Sequence, residues 1–223
     1  MSRIDDLIAR LCPDGVEYKQ LGEIAEYVRG VTYNKSMEIS PDNDCWKVLR
    51  ANNISLESNT LNFNEIKTVA KTVRVKNSQF LYANDILVCA GSGSKEHIGK
   101  VAYIFEDSQY TFGGFMAVVR IKQSSINPRY VFHVLTGEYF KKYLKISLNS
   151  TTINNLNSKI MCKFRIPVPP LEVQREIVRV LDSFAELEAE LEAELEARRA
   201  QYAYYRDRLL DFTERESLSH GQD

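Results

Sequence analysis

No apolar run in these 223 residues approaches the roughly 18 that a membrane-spanning helix needs, so no span is expected. The chain starts Met1-Ser2-Arg3-Ile4-Asp5-Asp6-Leu7, with acids where a signal peptide carries its apolar core. A cytoplasmic location is the expectation. Cysteine is scarce and scattered: Cys12, Cys45, Cys89 and Cys162 contain no Cys-x-x-Cys pair and are expected to be free thiols. The three histidines, His97, His133 and His220, stand apart, so no metal cluster or hydrolytic triad emerges. Pro41-Asp42 followed by Glu65-Ile66-Lys67 mimics a metal-nuclease pattern, but the acids are too widely separated for it. Gly93 and Gly99-Lys100-Val101 nearly form a phosphate-binding loop. The glycine spacing is one residue too long, and Val101 has no hydroxyl for magnesium. Pro169-Pro170-Leu171 follows Val168 and lacks the polar and aromatic residues of an amino-methyltransferase motif. No catalytic constellation is left.

What is present is an uneven charge distribution. The net charge of −1 hides a basic block at residues 67–165, with 15 Lys/Arg against 5 Asp/Glu. Acidic segments flank it: residues 1–66 are net −4 and residues 166–223 net −7. A basic block inside a near-neutral chain fits either a nucleic-acid-binding face or a face balanced by acidic neighbours.

Hydrophobic periodicity predicts an α+β chain. Ile4, Leu7, Ile8 and Leu11 form one face of a short helix, which Pro13-Asp14-Gly15 stops. From residue 46 to 122 the pattern is mostly strand. Thr72-Val73-Arg74-Val75-Lys76 alternates with period two, and Asp85-Ile86-Leu87-Val88-Cys89-Ala90 reads as a buried strand. Residues 100–105 and 115–121 read similarly, with turn signals at Ala83-Asn84, Gly91-Ser92-Gly93-Ser94 and Gly113-Gly114. Pro128 opens a helix with Tyr130, Val131, Val134 and Leu135 on one face, and Phe140, Tyr143 and Leu144 suggest another. Strands followed by helices, without βαβ alternation, give an α+β head.

Ile166-Pro167-Val168-Pro169-Pro170 is a rigid exit from that head. Beyond it, residues 171–212 contain neither Gly nor Pro, and residues 185–199 are almost all strong helix formers. An apolar seam runs along Ile177, Val180, Phe184, Leu187 and Leu191, then Leu195, Arg198, Tyr202, Tyr205, Leu209 and Phe212. The steps alternate between three and four, as in a coiled coil, with one stutter from Leu191 to Leu195. A single helix over residues 171–212 would reach roughly 63 Å at about 1.5 Å per residue. The head is too small to cover it, so its seam is expected to pair with another helix.

Two loops offer polar side chains. In the strand–loop–strand segment around residues 85–101, Ser92, Ser94, Lys95, His97 and Lys100 are candidate contacts, and glycines there allow close backbone approach to a phosphate. An ordinary hairpin connection would read the same way. Asn149, Thr151 and Asn154 follow Lys141, Lys142 and Lys145. Asn and Thr bond base edges or phosphates, and they also cap helices.

In this order the segments resemble the specificity (S) subunits of type I restriction–modification systems, over nearly the whole chain. Cys12-Pro13-Asp14-Gly15-Val16-Glu17-Tyr18-Lys19-Gln20-Leu21-Gly22-Glu23-Ile24 is similar to the start of a target-recognition domain in that family. Asp85-Ile86-Leu87 with the Gly/Ser loop is similar to its central motif. The most specific match is the exit Ile166-Pro167-Val168-Pro169-Pro170-Leu171-Glu172-Val173-Gln174-Arg175-Glu176-Ile177-Val178. Leu181-Asp182 and Tyr204-Tyr205-Arg206-Asp207-Arg208-Leu209-Leu210-Asp211-Phe212 complete the pattern. Here Val173 replaces the usual acid before the glutamine, with Glu172 one place earlier. Family members usually carry two recognition domains and two helices. One of each is found here, so a half-length subunit is expected, natural or truncated.

The resemblance implies a short N-terminal helix and turn at 1–18, a target-recognition domain at 19–168, a coiled-coil helix at 169–213 and a polar tail at 214–223. It implies a non-catalytic subunit that reads a DNA half-site and positions modification (M) subunits, which methylate adenine, with restriction (R) subunits joining them. S-adenosylmethionine, ATP and magnesium would belong to those partners, and no cofactor to this chain. DNA contacts are expected from Ser92, Ser94, Lys95, His97, Lys100, Lys141, Lys142, Lys145, Asn149, Thr151 and Asn154. Antiparallel homodimer contacts are expected from Ile177, Phe184, Leu187, Leu191, Leu195, Tyr202, Tyr205 and Leu209. The competing readings are the recognition part of a single-chain restriction–methylation enzyme and a coiled-coil interaction protein without DNA affinity.

Overall fold

A computed structural model describes residues 3–41, 44–55, 58–92, 97–149 and 155–212. Its first compact unit, residues 1–178, centres on a four-stranded antiparallel sheet in the order β2-β8-β5-β6. These strands are β2 (Ala25–Arg29), β5 (Ile86–Cys89), β6 (Val101–Tyr103) and β8 (Met116–Ile121). The central strand β5 is buried along its whole length, and successive side chains point to opposite faces. Ile86 and Val88 therefore join Ala117 and Val119 of β8 in one core, while Leu87 and Cys89 join Met116 and Val118 in another. Covered faces on both sides explain why the segment reads as a continuous apolar run.

The first core is closed by helices: α2 (Leu21–Ile24), α3 (Pro128–Thr136), α4 (Glu138–Asn149) and α5 (Ser158–Lys163). Asn127 caps α3 by accepting from the Arg129 and Tyr130 amides, with Pro128 in the first turn where no amide is needed. The cap of α5 is Asn157, beyond the polar cluster at 149–155 that the sequence suggests. On the other face lies a three-stranded sheet, β4-β3-β7, made of β3 (Cys45–Leu49), β4 (Lys67–Ala70) and β7 (Thr111–Phe112). Residues 72–76, expected as a strand, make no ladder. Their alternation records one-sided burial instead: Val73 and Val75 pack against Val31, Val48 and Val69, and the Trp46 indole donates to the Val73 carbonyl at 3.1 Å.

The N-terminal helix and turn belong to the same compact unit. Strand β1 (Tyr18–Gln20) pairs antiparallel with β9 (Arg165–Pro167), and the Val168 amide donates to the Glu17 carbonyl at 2.8 Å. Helix α1 (Arg3–Leu11) ion-pairs with the start of α6 (Leu171–Leu210) through Arg10–Glu172 at 3.1 Å and Arg3–Glu176 at 3.7 Å. The motif glutamine Gln174 is wholly buried. Its carbonyl accepts from the Asn127 amide at 2.8 Å, and its amide donates to the Pro169 and Ser125 carbonyls at 2.8 and 3.1 Å. A buried amide with all these bonds made is a clamp joining the proline exit, α3 and α6. Residues up to Val178 thus belong to the first compact unit.

The second unit, residues 179–223, contains the remainder of α6. It has the seam the spacing predicts, and Phe184, Leu187, Leu191, Leu195, Tyr202, Tyr205 and Leu209 are each at least 50% exposed. Ile177 differs: it is half-buried against the head core.

Candidate nucleic-acid interface

Three loops converge at the end of β5. Gly91 forms a bridge with Asn155, and the Leu156 amide donates to the Ala90 carbonyl at 2.7 Å. The Ala90 and Gly91 amides both donate to the Phe115 carbonyl, at 2.8 and 2.9 Å. Arg29, at the end of β2, ties these loops together. Its guanidinium donates to Asn155 Oδ1 at 3.2 Å, to the Leu156 carbonyl at 3.4 Å and to the Gly114 carbonyl at 2.7 Å. Tyr27 adds a hydroxyl bond to the Leu156 carbonyl at 2.7 Å, and burial pushes its phenol up to about 12, so it stays a donor.

The convergence walls an open cleft of about 1050 Å3. It is lined by Thr32, Tyr33, Lys35 and Glu38 after β2 and by Arg50 and Asn52 after β3. Gly91, Ser92 and His97, the turn Gly113-Gly114-Phe115, and Asn155 line it as well. Glu38 is already engaged: Lys67 donates to it at 2.7 Å, and that bond holds the carboxyl below its usual range. Burial raises the phenol of Tyr33, helped by the nearby Glu38 charge. Two buried atoms, Arg50 Nε and His97 Nδ1, have no hydrogen-bond partner among the described residues. Leaving such an atom unpaired costs about 1–3 kcal/mol.

Of the residues expected to contact DNA, Ser92 and His97 line this cleft. Ser94, Lys95, Thr151 and Asn154 lie outside the described residues, and Asn149 is placed only as the last residue of α4. Lys100 does not line the cleft. Its ammonium donates to the Ile54 carbonyl at 2.9 Å, and loss of hydration lowers its pKa. Lys141, Lys142 and Lys145 are exposed on α4 and do not line the cleft, and Lys141 bonds Glu138 at 2.8 Å. The described members of the expected set are thus spread over the cleft, the Lys100 contact and the face of α4.

Sequence reading missed Arg29, Lys35, Arg50 and Phe115. Gly113-Gly114 signalled the turn that carries Phe115, but the aromatic read as the start of a strand. Nothing local marks Arg29 or Arg50, which gain their meaning from segments distant in sequence. The resemblance to a nuclease pattern dissolves: Lys67 pairs with Glu38, Glu65 accepts from Asn52 at 3.4 Å, and Asp42 lies outside the described residues. Among the described residues no group of His, Cys, Asp and Glu could hold a metal, and no helix is long and apolar enough to cross a membrane.

Residues 13–197 match the family model of the type I restriction modification DNA specificity domain. The chain is 28% identical over 172 residues to the type I restriction enzyme StySPI specificity subunit of Salmonella potsdam, covering 77% of this chain and 36% of that one. It is 26% identical over 208 residues to the EcoR124I/EcoR124II specificity subunit of Escherichia coli, covering 92% and 50%. Among solved structures, the HsdS subunit from Thermoanaerobacter tengcongensis superposes with a TM-score of 0.58 at 19% identity, over 86% of this chain and 44% of that one. The type I restriction-modification S subunit from M. genitalium gives 0.57 at 16% identity, over 89% and 47%. The chain spans between about a third and a half of the length of the relatives it matches. With the family model matching most of its length, the chain belongs to the type I restriction modification DNA specificity domain family.

Proposed function

We propose that this chain reads a DNA half-site through the loops around the cleft and scaffolds M and R subunits through its long helix, without catalysing a reaction itself. One observation carries the reading. Three loops from distant parts of the chain are pinned around Arg29 into one cleft whose walls hold Lys35, Arg50 and His97. A rigid array of donors on loops, braced by a sheet, suits the reading of base edges. S-adenosylmethionine, ATP and magnesium belong to the partner subunits in this reading.

Two copies would pair through the exposed seam of α6, antiparallel about a two-fold axis. The charge pattern favours that direction. Glu186, Glu188, Glu190, Glu192, Glu194 and Glu196 precede Arg198, Arg199, Arg206 and Arg208, so parallel pairing stacks acid on acid while antiparallel pairing shifts acids towards arginines. A two-fold pair reads a palindromic, interrupted site.

The exposed lysines of α4 supply sequence-independent contacts with the phosphates. Replacing Lys141, Lys142 and Lys145 together with Ala is expected to weaken binding to all duplexes alike. It should also flatten the slope of log affinity against log salt by about one unit per lost contact. Titration of labelled duplex at several salt concentrations measures this, and an unchanged slope in the triple variant would remove α4 from the interface. Absence of any duplex binding by the parent chain at low salt would contradict the DNA-reading function itself.

A further inference from the structure

Phe115 is 72% exposed, although Phe112 and Met116 on either side of its turn are fully buried. The backbone beneath the ring is fixed from every side. The Phe115 carbonyl accepts two amides, the Gly113 amide donates to the Leu49 carbonyl at 2.9 Å, and the Met116 amide closes the turn on Gly113 at 2.7 Å. Gly30 presses so closely beneath the turn that a Cβ there would lie 2.1 Å from the Gly113 carbonyl oxygen. An aromatic ring kept at the edge of water on a rigid turn loses little freedom on binding, because only two side-chain torsions remain to be ordered.

Phe115 lines the same cleft as Lys35, Arg50 and His97. Polar groups there match the donors and acceptors of base edges. A phenyl ring matches none of them. The one apolar group that a base pair presents in the major groove is the 5-methyl of thymine. The major groove, about 12 Å wide, also admits a braced turn of this kind, whereas the minor groove at about 6 Å is too narrow for it.

We infer that Phe115 is a specificity-determining residue that packs on a thymine 5-methyl group in the recognised sequence. This rests on the DNA-reading function proposed above. The test uses the full chain with its M subunit and duplexes carrying the sequence methylated in the host. Each thymine is replaced in turn by uracil, which removes only the methyl. For the parent protein, one such replacement is expected to weaken binding about fourfold, the worth of one buried CH2 group. Phe115→Ala, which retains the buried core and the turn glycines, should bind the thymine duplex more weakly and be indifferent to uracil at that same position. Phe115→Leu should restore part of the penalty. An unchanged uracil penalty in Phe115→Ala overturns the inference, as does a parent protein that shows no uracil penalty at any thymine. So does a general weakening of Phe115→Ala without coupling to any methyl, the pattern of a wedging ring. In those three cases sequence-specific binding survives and the broader function stands. Loss of sequence preference in the parent overturns both.

Discussion

Leu191→Glu combined with Leu195→Glu is expected to leave the chain monomeric and to abolish the M-subunit complex that depends on pairing. Both leucines are more than half exposed along a helix whose seam they continue, at 58% and 51%. Burying a leucine side chain is worth about 1.5–3 kcal/mol, and a two-fold pair loses four of them at once. The four carboxylates introduced would add a desolvation cost. Glutamate is nearly as good a helix former as leucine, so the helix itself should survive and circular dichroism should be unchanged. Light scattering of the chain alone and with the M subunit reads the result. A variant that still pairs, or a parent that is strictly monomeric in both samples, would refute pairing through this seam.

Asp85→Ala is expected to cost about 3–5 kcal/mol of folding stability, a large share of the about 5–15 kcal/mol that a domain possesses. Asp85 is 1% exposed at the start of β5. Its two carboxylate oxygens accept from Arg120 Nε and Nη2 at 2.8 and 2.7 Å, and the second also accepts from the Tyr82 amide at 2.9 Å. Arg120 in turn donates to the Phe80 carbonyl at 3.0 Å and lies over the Tyr82 ring at 4.8 Å. Its pKa is raised above the usual guanidinium value, first through the bond to Asp85. Removing the acid leaves a part-buried cation short of its counter-charge, which is costlier than never having built the pair. Urea unfolding measures the difference. A midpoint shift worth less than about 1 kcal/mol would show that the pair is dispensable.

The contrast between these sites shows what was legible beforehand. Helices α3, α4 and α6 could be read because their faces repeat locally, and β5 because both of its faces are covered. The same rule misread residues 72–76, where alternation reflects packing of Val73 and Val75 without a paired neighbour. The bond from Lys100 to the Ile54 carbonyl could not be read either, because the acceptor lies 46 residues away in sequence. Gln174 could be picked out as part of a motif, but its clamp role could not, since its three backbone partners come from two separate segments. The cleft was half legible. Ser92 and His97 sit on a glycine-marked loop, while Arg29 and Phe115 are brought to it only by the pairing of β2, β8 and β5, and Arg50 only by the pairing of β3 with β7.

Mapping methylated adenines in a host whose sole specificity chain is this one, co-expressed with its M subunit, tests the central claim most directly. The account predicts one interrupted motif made of two identical inverted half-sites, methylated only when this chain is present. Methylation at the same adenines without the chain, or a non-palindromic motif in that host, would contradict it.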